Sequence, residues 1–210
     1  MRIVLAALLL TACSPATEAP LPAESPATEI SAAASPARDS CKDIAALAAA
    51  MTEPEPFTSL RSGLESNGQF ATAVSPSAAT CTFAKMEALG PDGGDVHVAN
   101  CLVFSSGMLD REANAPKAKA AFDATRSDLD KCLPKDWTSR DGSQADANAT
   151  EVMIYESAAD EKRSMDASSY LYPVELRKEW SEGDRANPPG WRVTLNFQKE
   201  IAARPAPDQQ

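Results

Sequence analysis

Apolar residues recur at helical spacing in two segments of this 210-residue chain. The first segment follows Asp39 and Ser40, either of which can cap a helix, and ends at the Glu-Pro-Glu-Pro run of residues 53–56. The second starts at Pro116, and between the two a short helical turn is predicted within residues 57–68. The apolar stripes of the two long helices are Cys41, Ile44, Ala45, Ala48 and Met51, and Ala118, Phe122, Thr125, Leu129 and Cys132.

Alternation of apolar and polar residues predicts the strands. It is clearest in residues 191–197, where Trp, Val, Leu and Phe alternate with Arg, Thr and Asn. The other predicted strands are residues 80–87 and 95–104, which flank a glycine-rich turn, residues 151–156, and a stretch within residues 168–178. The resulting order, α-β-β-α-β-β(-β), predicts the α+β class, with helices packed on one face of a mostly antiparallel sheet.

Residues 1–12 carry one positive charge at Arg2 followed by a short apolar stretch, which is typical of a secretory signal peptide. The sequence Leu10-Thr11-Ala12-Cys13 resembles the lipobox of bacterial lipoproteins. The resemblance implies cleavage between Ala12 and Cys13 and lipid attachment to Cys13, so that the mature chain is anchored to a membrane without crossing it. Cleavage by the ordinary signal peptidase is the alternative, but it would place the bulky Leu10 where that enzyme prefers a small residue.

The residue after the lipidated cysteine influences sorting in such lipoproteins. Here it is Ser14 rather than the aspartate that retains lipoproteins in the inner membrane, so the resemblance implies an outer-membrane protein that faces the periplasm. Residues 13–40 are rich in Pro, Ala, Ser and Thr, which predicts a disordered tether. A single globular domain is predicted over residues 41–201, and a loose tail over residues 202–210.

Four cysteines remain in the predicted domain, and an even number in an exported chain predicts disulfide bonds. They allow three pairings. A cross-strand Cys81–Cys101 bond would leave apolar residues of the second strand, among them Phe104, on the opposite face without cover. Bonds between helix and sheet, Cys41–Cys81 and Cys101–Cys132, avoid this problem and are favoured. Because the chain has no Cys-x-x-Cys motif and a single histidine, no metal centre, redox centre or cofactor is predicted.

The other residues that could carry chemistry form no complete catalytic motif. His97 lies within a predicted strand, where an isolated histidine is more often packed than catalytic, and a Ser-His-Asp triad would depend on it alone. Two pairs of carboxylates are candidates for glycosidase-like chemistry: Glu151 with Glu156, and Asp92 with Asp95. Core positions are favoured over an exposed recognition surface for four late aromatic residues: Tyr170, Tyr172, Trp191 and Phe197.

The charge balance narrows the range of partners. With 20 basic and 30 acidic residues the formal net charge is −10, so nucleic acid is not an expected partner.

Taken together, these features lead us to expect a membrane-anchored envelope lipoprotein that binds a protein or another envelope component and is not an enzyme. The alternatives are an inhibitor or immunity protein against a basic hydrolase, and a carboxylate-dependent hydrolase of cell wall or polysaccharide.

Overall fold

The computed structural model describes residues 39–66, 68–87, 94–107, 111–143, 151–160, 171–183 and 189–201. Every described residue belongs to one compact unit of the chain. The predicted signal peptide, its cleavage site between Ala12 and Cys13, nearly all of the predicted tether and the tail of residues 202–210 lie outside the described residues. No helix in the described part of the chain is both long enough and apolar enough to cross a membrane.

The elements whose bounds lie within the described residues are two α-helices, two short 3-10 turns and eight strands, and residues 158–160 are helical as well. In chain order they are α1 (Ser40–Ala50), the turn Thr58–Leu60, β1 (Arg61–Ser66), β2 (Gln69–Thr72), the turn Pro76–Ala78, β3 (Thr80–Met86), β4 (Asp95–Ser105), α2 (Arg111–Cys132), β5 (Trp137–Asp141), β6 (Glu151–Ser157), β7 (Val174–Ser181) and β8 (Gly190–Ile201).

All eight strands form one sheet in the order β1-β2-β3-β4-β8-β7-β6-β5, and every neighbouring pair is antiparallel. Each half of the chain contributes one helix and then four strands that pair in sequence, and the halves meet where β4 pairs with β8. The α+β class and the antiparallel sheet are thereby confirmed. The predicted order of elements is not, because β1, β2 and β5 are additional strands; β1 and β5 are the two edges of the sheet.

The segment after α1 forms a hairpin of two short strands, so the helical turn predicted within residues 57–68 is wrong beyond its first turn. Phe57 adopts a left-handed conformation with φ of 65°, and the 3-10 turn Thr58–Leu60 leads directly into β1. Gly68, with φ of 74°, lies in the turn between β1 and β2. The Phe57 ring stacks on Phe83 of β3 at 5.3 Å between centroids, which anchors the segment to the sheet.

Helix α2 begins at Arg111, five residues before its predicted start. Pro116 lies inside the helix, where it cannot donate the usual hydrogen bond to the carbonyl of Glu112. The predicted stripe is confirmed as the buried face for four of its members: Ala118, Phe122, Thr125 and Leu129.

The helices cover one face of the sheet and share a single hydrophobic core with it. The predicted cap of α1 is confirmed, since Asp39 accepts hydrogen bonds from the backbone N–H groups of Cys41 (3.1 Å) and Lys42 (3.3 Å). The alternation in β8 is also confirmed. Its helix-facing residues Val193, Leu195 and Phe197 are 0% exposed, whereas the residues between them on the other face are half-buried.

The disulfide bonds are Cys41–Cys132, which joins α1 to the end of α2, and Cys81–Cys101, which joins β3 to β4. The pairing favoured from the sequence, between helix and sheet, is therefore wrong. Cys81 and Cys101 lie directly opposite each other in the antiparallel register, with Cα atoms 4.0 Å apart. The Cα atoms of Cys41 and Cys132 are 4.8 Å apart. One bond thus joins the two helices and the other joins two strands, and neither connects a helix to the sheet.

An irregularity in β4 removes the objection to the cross-strand bond for one of those apolar residues, Phe104. The register between β4 and β8 shifts between Leu102 and Phe104, and strict alternation of faces ends at such a shift. Phe104 pairs with Val193 and packs against the same core as Cys101. It therefore does not need cover on the opposite face.

Candidate functional site

Strand β5 has an open outer edge among the described residues. It is the last strand in the sheet and pairs only with β6. The N–H of Gly142 donates to the carbonyl of Val152 at 2.9 Å, and because hydrogen-bonded residues alternate along an antiparallel pair, Thr138 and Arg140 also direct their backbone groups to β6. Ser139 and Asp141 therefore direct their backbone N–H and C=O groups away from the sheet. Both residues are exposed.

A groove of about 420 Å³ lies between this edge and the C-terminal end of α2. Leu129 and Leu133, at and just after the end of the helix, form one wall. The sheet contributes Trp137, Ser139 and Tyr155, which project on the helix-covered face because Ser139 and Tyr155 are directly opposed in the β5–β6 register. The groove therefore runs beside the open edge and has both apolar and polar walls.

Tyr155 is a buried residue of the groove whose hydroxyl makes a hydrogen bond. Its side chain is 3% exposed, and its hydroxyl donates to the carboxylate of Asp130 at 3.0 Å. Burial, reinforced by the negative charge of Asp130, raises the pKa of Tyr155 well above its usual range. The phenol thus stays neutral, and the Asp130 carboxylate is occupied by the phenol and by Arg126, whose Nε lies 3.9 Å away.

Two lysines give the groove a positive rim. Lys131 in the last turn of α2 and Lys135 in the following turn both line it and are both exposed. Within the part of the chain that the structure describes, neither takes part in an ion pair. The buried lysine of β7, Lys178, differs in this respect because it is paired with Glu151.

A second, smaller cavity of about 80 Å³ shares one residue with the groove. Trp137 lines both, and the smaller cavity is otherwise bounded by the end of α1 at Met51, by Leu171 and Pro173 ahead of β7, and by the end of β8 at Lys199. Trp137 therefore forms the partition between two concave surfaces at the start of the edge strand.

Among the described residues His97 has no catalytic arrangement around it. Its side chain is 3% exposed, its cross-strand neighbours are Lys85 and Lys199, and its Nδ1 has no hydrogen-bond partner among the described residues. Burial, together with the positive charge of Arg61, lowers the pKa of His97 below its usual value. A buried neutral imidazole flanked by lysines has the surroundings of a packed residue, as expected from the sequence.

Of the two candidate carboxylate pairs, Glu151 and Glu156 are held apart, and only this pair lies wholly within the described residues. Glu151 and Glu156 project from opposite faces of β6, because they lie five positions apart in the strand and successive side chains alternate between faces. Glu151 pairs with Lys178 on the helix-covered face, and Glu156 pairs with Arg140 at 2.7 Å on the other face. Asp95 pairs with Lys85 at 2.9 Å, and its proposed companion Asp92 lies outside the described residues.

The late aromatic residues divide between the two faces. Trp191 and Phe197 are core residues, as predicted, and Trp191 Nε1 donates to the carbonyl of Arg111 at 2.8 Å, which fixes the start of α2. Tyr172 is half-buried and lies 5.0 Å from the guanidinium of Arg140, on the face away from the helices. Tyr170 lies outside the described residues.

Sequence reasoning missed the groove because the residues of its edge strand belong to no apolar pattern. Trp137 stands alone among polar residues, after the predicted end of the second helix, and β5 reads Trp-Thr-Ser-Arg-Asp. An aromatic residue between Lys135 and Ser139 was the available signal. The sequence does not show which lysines form ion pairs, so it does not distinguish Lys131 and Lys135 from other surface lysines.

Within the described residues no group of three or more His, Cys, Asp or Glu side chains is arranged to hold a metal ion. Comparison with protein-family models, with curated proteins and with solved structures gives no match to this chain.

Proposed function

We propose that this protein is a membrane-anchored envelope lipoprotein whose folded domain binds another protein of the envelope and performs no chemistry of its own. In this proposal Cys13 carries the lipid after cleavage behind Ala12, residues 13–40 form a tether, and the domain faces the periplasm from the outer membrane. The signal-peptide composition and the lipobox resemblance support the anchor.

The observation that carries the binding proposal is the open edge of β5 beside the α2 groove. Exposed edge strands present unpaired N–H and C=O groups that pair readily with another chain. Addition of an extended segment to such an edge is a recurring mode of protein recognition, in which backbone hydrogen bonds give affinity and adjacent pockets give specificity. Here the outward backbone groups of Ser139 and a groove lined by Trp137 and Tyr155 supply both parts.

The placement of the carboxylates favours binding over hydrolysis. A glycosidase needs two carboxyl groups a few ångströms apart over a shared cleft, and Glu151 and Glu156 lie on opposite faces of the sheet. An inhibitor or immunity protein against a basic hydrolase is a specific form of the binding proposal, favoured by the net charge of −10. Undiminished activity of candidate hydrolases mixed with the protein would remove that form.

The experiment is site-specific photocrosslinking in intact cells. A photoreactive amino acid replaces Ser139 at the edge or, as a matched control, Ala120 on the exposed side of α2. We expect one envelope protein to be crosslinked from position 139 in high yield, and not from position 120. Equal capture from both positions, or none from position 139, would contradict the assignment of β5 as the binding surface.

The anchor is tested separately by metabolic labelling with a radioactive fatty acid. The wild-type chain should incorporate label and fractionate with membranes, and Cys13→Ser should abolish both. Label that persists in the Cys13→Ser variant would contradict lipid attachment at this residue.

A further inference from the structure

The geometry of β5 determines where the side chains of an added strand would lie. A residue opposite Ser139 would exchange both backbone hydrogen bonds with it, because Ser139 directs its N–H and C=O outwards. Residues directly opposed in a pair of strands project on the same face, and Ser139 projects on the face that borders the groove. Every second residue of the added strand therefore points towards the end of α2.

Two of the three charged side chains that line the groove are positive, although the chain as a whole has a net charge of −10. Lys131 and Lys135 line the groove without an ion-pair partner in the described residues. Two nearby carboxylates already accept hydrogen bonds. Asp130 accepts from the Tyr155 hydroxyl, and Asp141 accepts from the backbone N–H of Ser143 at 2.8 Å, a contact that lowers the pKa of Asp141.

We infer that the groove takes an extended acidic segment of the partner, which adds to β5 as a further strand and presents glutamate-like side chains to Lys131 and Lys135 at alternate positions. The inference rests on the proposed function and names the chemistry of the partner. It also reverses the expectation from net charge, under which an acidic protein attracts a basic partner.

The walls of the groove explain why a glutamate suits it better than a shorter acid. Trp137 and Leu133 contribute apolar surface to the groove that the two lysines also line. The two methylene groups of a glutamate can pack against this surface while its carboxylate reaches the rim, in the way that long charged side chains cover apolar surface elsewhere. An aspartate would have to hold its charge against the apolar wall, where desolvation opposes it.

The test uses three synthetic heptapeptides with fluorescent labels and the full-length protein purified in detergent. The first alternates glutamate and threonine, the second replaces each glutamate with lysine, and the third is the first with an N-methyl group on every glutamate nitrogen. The N-methyl groups remove the backbone donors that would pair with Ser139 while leaving the charge intact. Binding is measured by fluorescence anisotropy at low and at physiological salt.

We expect the glutamate peptide to bind at least about tenfold more tightly than either of the others, and to weaken with added salt. The double charge reversal K131E/K135E should weaken it by about tenfold or more. The control K117E changes a lysine at the other end of α2, about 21 Å away along the helix axis, and should leave the affinity within about twofold.

Each contradicting result would overturn a different part of the inference. Equal binding of the lysine peptide would overturn the acidic partner, and equal binding of the N-methylated peptide would overturn strand addition. If none of the peptides binds although position 139 crosslinks a partner in cells, the inference fails while the proposed function stands. If position 139 crosslinks nothing, the proposed function fails as well.

Discussion

Replacing both cysteines of the Cys41–Cys132 bond with alanine should lower the free energy of unfolding by up to about 4.6 kcal/mol. The bond spans a sequence separation of 91 residues, and closing a loop of that length restricts the unfolded chain by an entropy term equal to about 4.6 kcal/mol at room temperature. Cys41 is exposed and Cys132 is half-buried, so the loss of two sulfur atoms adds little packing energy. The loop term is therefore the main effect.

The assay combines guanidinium unfolding, followed by tryptophan fluorescence, with titration of free thiols, in chains that also carry Cys13→Ser. The variant C41A/C132A should contain no free thiol, since Cys81 and Cys101 remain bonded. The matched control C41A/C81A should contain two, at Cys101 and Cys132. Two thiols in the first variant and none in the control would refute the pairing. A stability loss below about 1 kcal/mol in the first variant would refute the loop argument.

Three other substitutions test the packing and the buried histidine. Gly190→Ala should lower the free energy of unfolding by more than about 1 kcal/mol, because Gly190 has φ of 134° and an added Cβ would lie 2.2 Å from the carbonyl oxygen of Ser106; an unchanged urea midpoint would contradict this. Leu195→Ala, at a fully buried position under the helices, should cost about 2–5 kcal/mol in the same assay, and a loss under 1 kcal/mol would show that the site is not packed as described. The lowered pKa of His97 means that the unfolded chain binds a proton that the folded chain does not, so wild-type stability should fall as pH drops below about 6.5. His97→Gln should reduce that fall between pH 7.5 and pH 5, and identical pH profiles for the two proteins would argue against a buried neutral imidazole.

The sequence predicts the parts of the fold that bury apolar faces. The existence of helix α1 and the alternation of β8 are confirmed because each element buries an apolar face. The stripe predicted for α1 is only partly right, since Ile44 is buried but Cys41 and Ala45 are exposed. Strands β1 and β5 were missed because an edge strand needs no apolar face towards solvent, so their sequences lack alternation. The candidate site lies at one of these edges, and its position depends on which strand ends the sheet, a property of topology that local pattern does not encode. Phe104 was assigned to the wrong face because the register shift in β4 leaves no sign in the sequence.

The central claim, that β5 offers an open edge for a partner strand, is tested most directly by residue-resolved amide hydrogen exchange. In the free protein the amides of Thr138 and Arg140, which point to β6, should exchange slowly, and those of Ser139 and Asp141 should exchange rapidly. Addition of the crosslinked partner, or of the glutamate–threonine peptide at saturation, should slow Ser139 and Asp141 and leave Thr138 and Arg140 unchanged. Slow exchange of Ser139 in the free protein, or no change on addition of the bound partner, would contradict the account.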